Sequence, residues 1–198
     1  GCMIGMSTNG TLINSFNVSK IADSFDMIGV SLDGPRELHD KYRGVAGTFD
    51  KAVGAIRLLR AEGVKVGTNT IIAPWNIGLL PEFIEWLYGL VDFAMIQPIH
   101  PYPPPSYHRL SATTLSDLAN YLVDLKRKHP RFLAVPIDFI KGFEVFFEGR
   151  SPKICDAGRL YAAVDPMGRL LACAARSDIV LGSVLEHSAI DILSNKMT

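Results

Sequence analysis

Two alternating periodicities constrain this chain most. From its start to about residue 97, short apolar runs of strand length alternate with longer stretches in which apolar residues recur every three or four positions. Short apolar runs bounded by turn residues are strands and the 3.6-residue period is helix, so the pattern calls for repeated β/α units on a mainly parallel sheet. The strand runs are residues 3–7, 27–32, 64–73 and 93–97. Between them, Thr48 is expected to cap a helix with Phe49, Ala52, Val53, Ile56 and Leu59 on its apolar face, ending at Gly63 in the left-handed conformation. Residues 77–90 read as another helix, with Leu80, Phe83, Ile84 and Leu87 inward.

The later part changes character. Pro98, Pro101, Pro103, Pro104 and Pro105, interleaved with His100, Tyr102, Tyr107 and His108, exclude a central strand or a helix there. Leu115, Leu118, Leu122 and Leu125 mark a helix that stops before Pro130, and residues 137–147 read as one further helix rich in aromatics. Beyond Gly149, runs at 160–164 and 170–174 flank Asp165-Pro166-Met167-Gly168, the composition of a tight turn, which makes a hairpin.

Composition narrows the function classes. Twenty Lys+Arg against 20 Asp+Glu, with a pI near 7.1, provide no basic field, so no nucleic-acid partner is expected. The most apolar stretch, 77–99, is broken by Pro81, Glu82, Glu85 and Asp92, so no membrane partner is expected either. The N-terminus has neither the basic region nor the apolar core of a signal peptide. Three cysteines, Cys2, Cys155 and Cys173, do not make a disulfide scaffold, so a reducing, cytoplasmic location is expected.

In β/α architectures ligands bind outside the carboxyl ends of the strands. That rule brings together Thr8 and Asn9, Ser31 and Asp33, Thr68 to Thr70, and Gln97 as one candidate site. Thr8-Asn9-Gly10 and Asp33-Gly34-Pro35 are equally good turn chemistry. Asn69 reads as a polar residue satisfying backbone groups inside a barrel. Geometry alone stops there.

The ordered run Ser31-Leu32-Asp33-Gly34-Pro35, His39-Asp40, Arg43-Gly44 and Gly47-Thr48-Phe49 resembles the fourth β/α unit of radical S-adenosylmethionine (AdoMet) enzymes that modify peptides and cofactors. Met6-Ser7-Thr8-Asn9-Gly10 resembles the third strand of that family, and Gly67-Thr68-Asn69-Thr70 and Ile96-Gln97-Pro98-Ile99 its fifth and sixth. Cys155, Gly168 and Cys173, with twelve and four residues between them, are similar to the opening of SPASM or twitch extensions, which hold auxiliary [4Fe-4S] clusters. Leu181-Gly182-Ser183-Val184 and residues 189–193 resemble the run that follows. The family's C-x3-C-x2-C loop and its G-G-E-P segment have no counterpart here.

The resemblance implies an α/β fold: strands 3 to 6 of a partial, TIM-like (β/α)6 radical SAM barrel over 1–150, and the truncated start of a SPASM/twitch extension over 151–198. It implies AdoMet as cofactor, with Ser31 against the ribose or carboxylate and Arg43 forked onto the carboxylate. Thr8 and Asn9 would lie beside AdoMet or substrate, Ile99 near the adenine, and Asp33 in support near the ribose. Cys155 and Cys173 would be ligands of an auxiliary [4Fe-4S] cluster; two buried thiols are the plainer alternative, and zinc lacks a C-x2-C partner. His39-Asp40 would fix the loop before Arg43. His100, Tyr102, Tyr107 and His108 would face substrate or stay solvated, and Cys2 is unassigned.

The implied activity is release of a 5′-deoxyadenosyl radical from AdoMet to modify a peptide or cofactor precursor, in a chain that starts at the third strand and is not self-sufficient. Two rivals stand beside it. One is a binding module on the same fold without the initiating cluster; the other is an ordinary β/α-barrel lyase or aldolase, disfavoured because the strand ends offer Ser, Asp, Thr, Asn and Gln rather than Lys or paired acids. An open third strand presents unpaired backbone groups. The 198-residue chain alone is therefore expected to dimerise or aggregate, and light scattering checks this: a clean monomer would count against it.

Overall fold

The two periodicities become alternating strands and helices. In order they are β1 (Gly5–Thr8), α1 (Val18–Ala22), β2 (Met27–Ser31), α2 (Arg36–Arg43), α3 (Thr48–Ala61), β3 (Lys65–Ile72), α4 (Leu80–Tyr88, entered through a 3-10 turn over Ile77–Leu79) and β4 (Phe93–Pro98). They continue as α5 (Ala112–Lys128), α6 (Ile137–Lys141), α7 (Phe143–Phe147), β5 (Ala163–Val164), β6 (Arg169–Leu171), β7 (Val180–Ser183) and α8 (Ala189–Ser194). This computed structural model describes residues 2–99, 112–148, 157–158, 160–174 and 176–194. The chain divides into two compact units, Gly1–Ser151 and Pro152–Thr198.

In the first unit β1, β2, β3 and β4 lie side by side in chain order, every pair parallel. Each crossover therefore returns next to the strand it left, which is the winding of a β/α barrel and not of a doubly wound sheet. The chain after α5 extends the sheet beyond β4 by one parallel bridge: the Ala94 N–H donates to Phe132 O at 2.7 Å and the Ala134 N–H to Ala94 O at 2.9 Å.

Side chains alternate across a strand, and the register lines up one set of rows against the helices. Met6, Ile28, Val66 and, one dyad on, Thr8, Val30, Thr68 and Ala94 share that face. There Ile28, Val30, Val66, Ile72 and Ile96 pack with Ile56 and Leu59 of α3, Leu80, Ile84 and Leu87 of α4, and Leu118 and Leu122 of α5 in one core. Truncating one of the fully buried members, Ile56→Ala for instance, costs about 2–5 kcal/mol.

On the opposite face Gly29 pairs with Gly67. A Cβ on Gly67 would lie 2.3 Å from the Phe93 ring, and one on Gly29 2.7 Å from the Asn69 amide. These two positions are glycine because neighbouring side chains lie across them. The ring of Phe93 is covered in turn by Lys65, whose Nζ sits 5.7 Å from its centroid.

Two local expectations are corrected. Thr48 does not cap α3; Gly47 occupies that position, and the Asp40 carboxylate of α2 accepts the Gly47 N–H at 2.6 Å, the Phe49 N–H at 2.8 Å and the Thr48 hydroxyl at 2.8 Å. A full carboxylate suits the positive end of the helix dipole better than a hydroxyl. The single helix expected over 137–147 is two, α6 and α7, meeting at Gly142, the weakest helix former in the run. Gly63 is left-handed at φ 83°, as its place after α3 requires.

The second unit contains the hairpin read from sequence, extended to three antiparallel strands by β7. Asp165 organises the turn: its carbonyl accepts the Gly168 N–H, and Oδ1 accepts the N–H groups of Met167 and Arg169, each at 2.9 Å. Gly168 closes the turn at φ 77°, a conformation that favours a residue without Cβ. Leu170, Leu171, Ala172 and Ile192 are buried and form the small apolar centre of this unit.

Among the described residues no helix is long and apolar enough to cross a membrane. Gly67→Ala should lower stability by about 1–3 kcal/mol, since the new methyl must displace a buried ring. Thr68→Val should leave stability unchanged or raise it, because the Thr68 hydroxyl is buried without a hydrogen-bond partner and Val removes it at constant shape. Urea melts of the two variants check both signs.

Candidate functional site

The carboxyl end of β2 is where buried polar groups concentrate. Past Ser31 the chain enters Leu32 and Asp33, both buried, so their backbone groups require partners inside the protein. Leu32 N–H donates to Asn69 O at 3.1 Å, and Leu32 O accepts the Thr70 hydroxyl at 2.7 Å. Asp33 N–H donates to His39 Nδ1 at 3.2 Å, and Asp33 O accepts Asn76 Nδ2 at 2.8 Å. Asn76 also donates to Ile71 O and accepts the Ala73 N–H, so one side chain fastens the ends of β2 and β3 together.

The Asp33 side chain is 3% exposed, and both its oxygens are engaged. Oδ1 accepts the Ile71 N–H at 3.2 Å, while Oδ2 accepts Arg43 Nε at 2.8 Å and lies 2.5 Å from Nη2. Arg43 stands in the last turn of α2, a helix that begins directly after Pro35 and ends on left-handed Gly44. Next to it, Tyr42 stacks on Trp75 of the loop after β3, centroids 3.9 Å apart and planes 13° from parallel.

His39 is buried, edge-on to Phe49 at 6.1 Å. Its Nδ1 accepts a hydrogen bond from Asp33, so in this arrangement Nδ1 carries no proton. Burial pushes the imidazole below its ordinary pKa; the Asp33 carboxylate opposes the shift, Arg43 reinforces it, and Asp40 opposes it weakly. Asp40 moves down from the usual carboxylate range, chiefly through the Phe49 N–H bond. His39 and Asp40 thus brace the segment that leads to Arg43 and α3.

The sheet face turned away from the helices carries Ser7, Ser31, Asn69, Met95 and Gln97, each exposed or half-buried. Asn69 Nδ2 donates to Ser7 Oγ at 3.0 Å, reaching over the space that Gly29 leaves open. Asn69 serves a neighbouring side chain there and not the backbone groups expected of it. Ile99, half-buried, prolongs the pairing by donating its N–H to Ile72 O at 2.9 Å. Ser31 and Asn69 are directly paired in register at the ends of β2 and β3.

Other residues drawn from sequence lie elsewhere. Thr68 and Thr70 are buried on the helix side, since alternation turns them away from Asn69. Thr8 shares that side; its hydroxyl accepts the Gly10 N–H, and Asn9 Oδ1 accepts the N–H and hydroxyl of Thr11, so both serve the turn after β1. His100, Tyr102, Tyr107, His108 and Cys155 lie outside the described residues. Cys173, half-buried, follows β6 by two positions, and its carbonyl accepts the Arg176 N–H. Ser7 and the Trp75–Tyr42 stack were missed from sequence. Period-two alternation singles out Ser7, which falls on the same face as Gly29 and Asn69.

A [4Fe-4S] cluster takes about four thiolate ligands. The described residues include Cys2, exposed in the first unit, and Cys173 in the second, and among them no three His, Cys, Asp or Glu converge to hold a metal. The described residues therefore do not fit a cluster.

Burial makes the folded His39 harder to protonate. An imidazole with its folded pKa below the unfolded value of about 6.5 binds its proton more readily in the unfolded chain, so its contribution is present above that value and is lost as pH falls. Stability should therefore drop as pH falls below about 6.5, and His39→Asn should flatten that part of the curve, as urea midpoints measured between pH 5 and 8 (roughly the histidine titration range) would register.

Residues 1–87 match the Radical SAM superfamily. The Fe-coproporphyrin III synthase of Methanosarcina barkeri is 40% identical over 83 residues, 41% of this chain and 21% of that protein. The cysteine-type anaerobic sulfatase-maturating enzyme of Clostridium novyi is 36% identical over 162 residues, 76% of this chain and 42% of that protein. Among solved structures, anSMEcpe with bound AdoMet and the Kp18Cys peptide superimposes with a TM-score of 0.61 at 17% identity, over 95% of this chain and 56% of that one. The chain thus spans a fifth to about half of the length of these proteins, and its fold resembles the radical SAM (β/α) barrel of that structure. Together the match over residues 1–87 and the curated relatives support membership of this chain in the radical SAM superfamily.

Proposed function

We propose that this chain is an AdoMet-binding unit on the radical SAM fold. The observation that carries the reading is Arg43 of α2, held at the carboxyl end of β2 by Asp33, two residues beyond the half-exposed Ser31, within the segment that matches the superfamily. Arg43 donates to the ligand carboxylate, since a guanidinium can present two parallel N–H groups to it. Ser31 donates or accepts at the ribose. Ile99 lies at the adenine end by position, and Thr8 and Asn9 shape the adjoining turn. Residues 151–198, on the C-x12-G-x4-C spacing of Cys155, Gly168 and Cys173, form the start of a twitch-like extension.

A second reading places the chain in a radical-generating enzyme that acts on a peptide. It rests on the 76% of this chain related to a sulfatase-maturating enzyme and on the peptide bound with AdoMet in anSMEcpe. Equilibrium dialysis of labelled AdoMet against the iron-free chain separates the two. Saturable binding without iron supports the binding unit; binding that appears only after iron and sulfide are reconstituted into the whole protein supports the enzyme.

For the site itself, Arg43→Ala should weaken AdoMet by about 10- to 100-fold, the worth of a charge-assisted hydrogen bond, and Ser31→Ala by a few-fold. If both variants bind as tightly as the parent chain, the site lies elsewhere.

A further inference from the structure

The buried carboxylate of Asp33 is a strange neighbour for an arginine that must receive another carboxylate. It already neutralises much of the charge that would attract one. Its value has to lie in geometry. The Asp33 backbone is tied at both polar groups, to His39 Nδ1 and Asn76 Nδ2, and its Oδ1 is tied to the Ile71 N–H. Only Oδ2 remains, and it grips Arg43 along one side of the guanidinium, at Nε and Nη2. Of the five N–H donors of that group, the two on Nη1 and one on Nη2 are left at the far end, and 35% of the Arg43 side chain is exposed. Two of those three, one on each Nη, make the end-on fork that takes a carboxylate in bidentate fashion. A second contact steadies the helix: Tyr42, one residue before Arg43, is stacked on Trp75, whose neighbour Asn76 holds Asp33.

We propose that Asp33 is a positioning residue, which holds the Nε–Nη2 side of Arg43 so that the Nη1 end is aimed at the carboxylate of an amino-acid ligand. This rests on the reading of Arg43 as the partner of the AdoMet carboxylate. An unbraced arginine loses rotamer freedom when it binds; a braced one has lost it already, and the ligand then binds more tightly without any new contact.

The alternative, that Asp33 only stabilises the fold or only adds negative charge, predicts the opposite sign for one variant. Asp33→Asn removes a like charge from the neighbourhood of the ligand carboxylate, so electrostatics alone would tighten AdoMet. Positioning predicts that it weakens AdoMet, because a neutral amide grips the guanidinium poorly. The probes are AdoMet and decarboxylated AdoMet, titrated into the full chain and read as the ratio of their dissociation constants. A variant that merely loosens the fold changes both ligands together and leaves the ratio alone.

Arg43→Ala is expected to abolish the preference for AdoMet. Asp33→Asn is expected to lower it about tenfold, and the double variant to be no worse than Arg43→Ala alone, since Asp33 acts through Arg43. If Arg43→Ala loses the preference while Asp33→Asn keeps or increases it, the positioning role is overturned and the AdoMet reading stands. If Arg43→Ala keeps the preference, both fall. Should Asp33→Asn fail to fold by circular dichroism, Arg43→Lys serves in its place: lysine keeps the charge but cannot be held along a side, so a loss comparable to Arg43→Ala supports the proposal and full retention overturns it.

Discussion

A carboxylate buried at the end of a strand sets the terms for much of this structure. Asp33 is almost wholly removed from water, and an ion in that position persists only where hydrogen bonds and an opposite charge replace its hydration. For the carboxylate the replacements are Arg43 of α2 and the Ile71 N–H of β3, while His39 of α2 and Asn76 beyond β3 hold the backbone N–H and O of the same residue. One residue therefore ties the loop after β2 to the loop after β3 and to the helix between them. The same helix carries Asp40, which caps α3, so the brace continues from the strand end into the helix that covers the sheet.

The sheet divides this protein into two kinds of environment. On one side, branched aliphatic residues meet three helices and exclude water. On the other, the rows hold serine, asparagine, glutamine and methionine with two glycines between them, a surface unsuited to helix packing and suited to a polar ligand. Parallel strands in chain order bring their carboxyl ends to one edge, and the braced Asp33–Arg43 pair stands at that edge. Rigidity at the edge and polarity on the open face are separate consequences of the same register.

Much of the first unit was legible in the residues. Periodicity located all four strands and the helices from α3 to α5 to within a few positions, because the apolar spacing that marks them is also what packs them. The ordered motif from Ser31 to Phe49 pointed to the superfamily, and the turn at Asp165 to Gly168 to the hairpin. Less legible were features that depend on what lies across a contact. Thr48 looks like a cap until Asp40 is seen to reach its helix first, and Thr68 and Thr70 look like site residues until the pleat turns them inward. Asp33 reads as turn chemistry, and only its partners, up to 43 positions away, make it the centre of a network.

By itself the sequence determined the class of fold, the order of strands and helices, and the chemistry available at the strand ends, since these follow from local periodicity and residue type. The tertiary structure decided which faces those residues occupy, which glycines lie beneath a neighbouring ring or amide, and how Asp33, His39, Asn76 and Arg43 are brought together. The physical reason is that hydrogen bonds and ion pairs between distant segments depend on register and burial, and neither is encoded within any one stretch of chain.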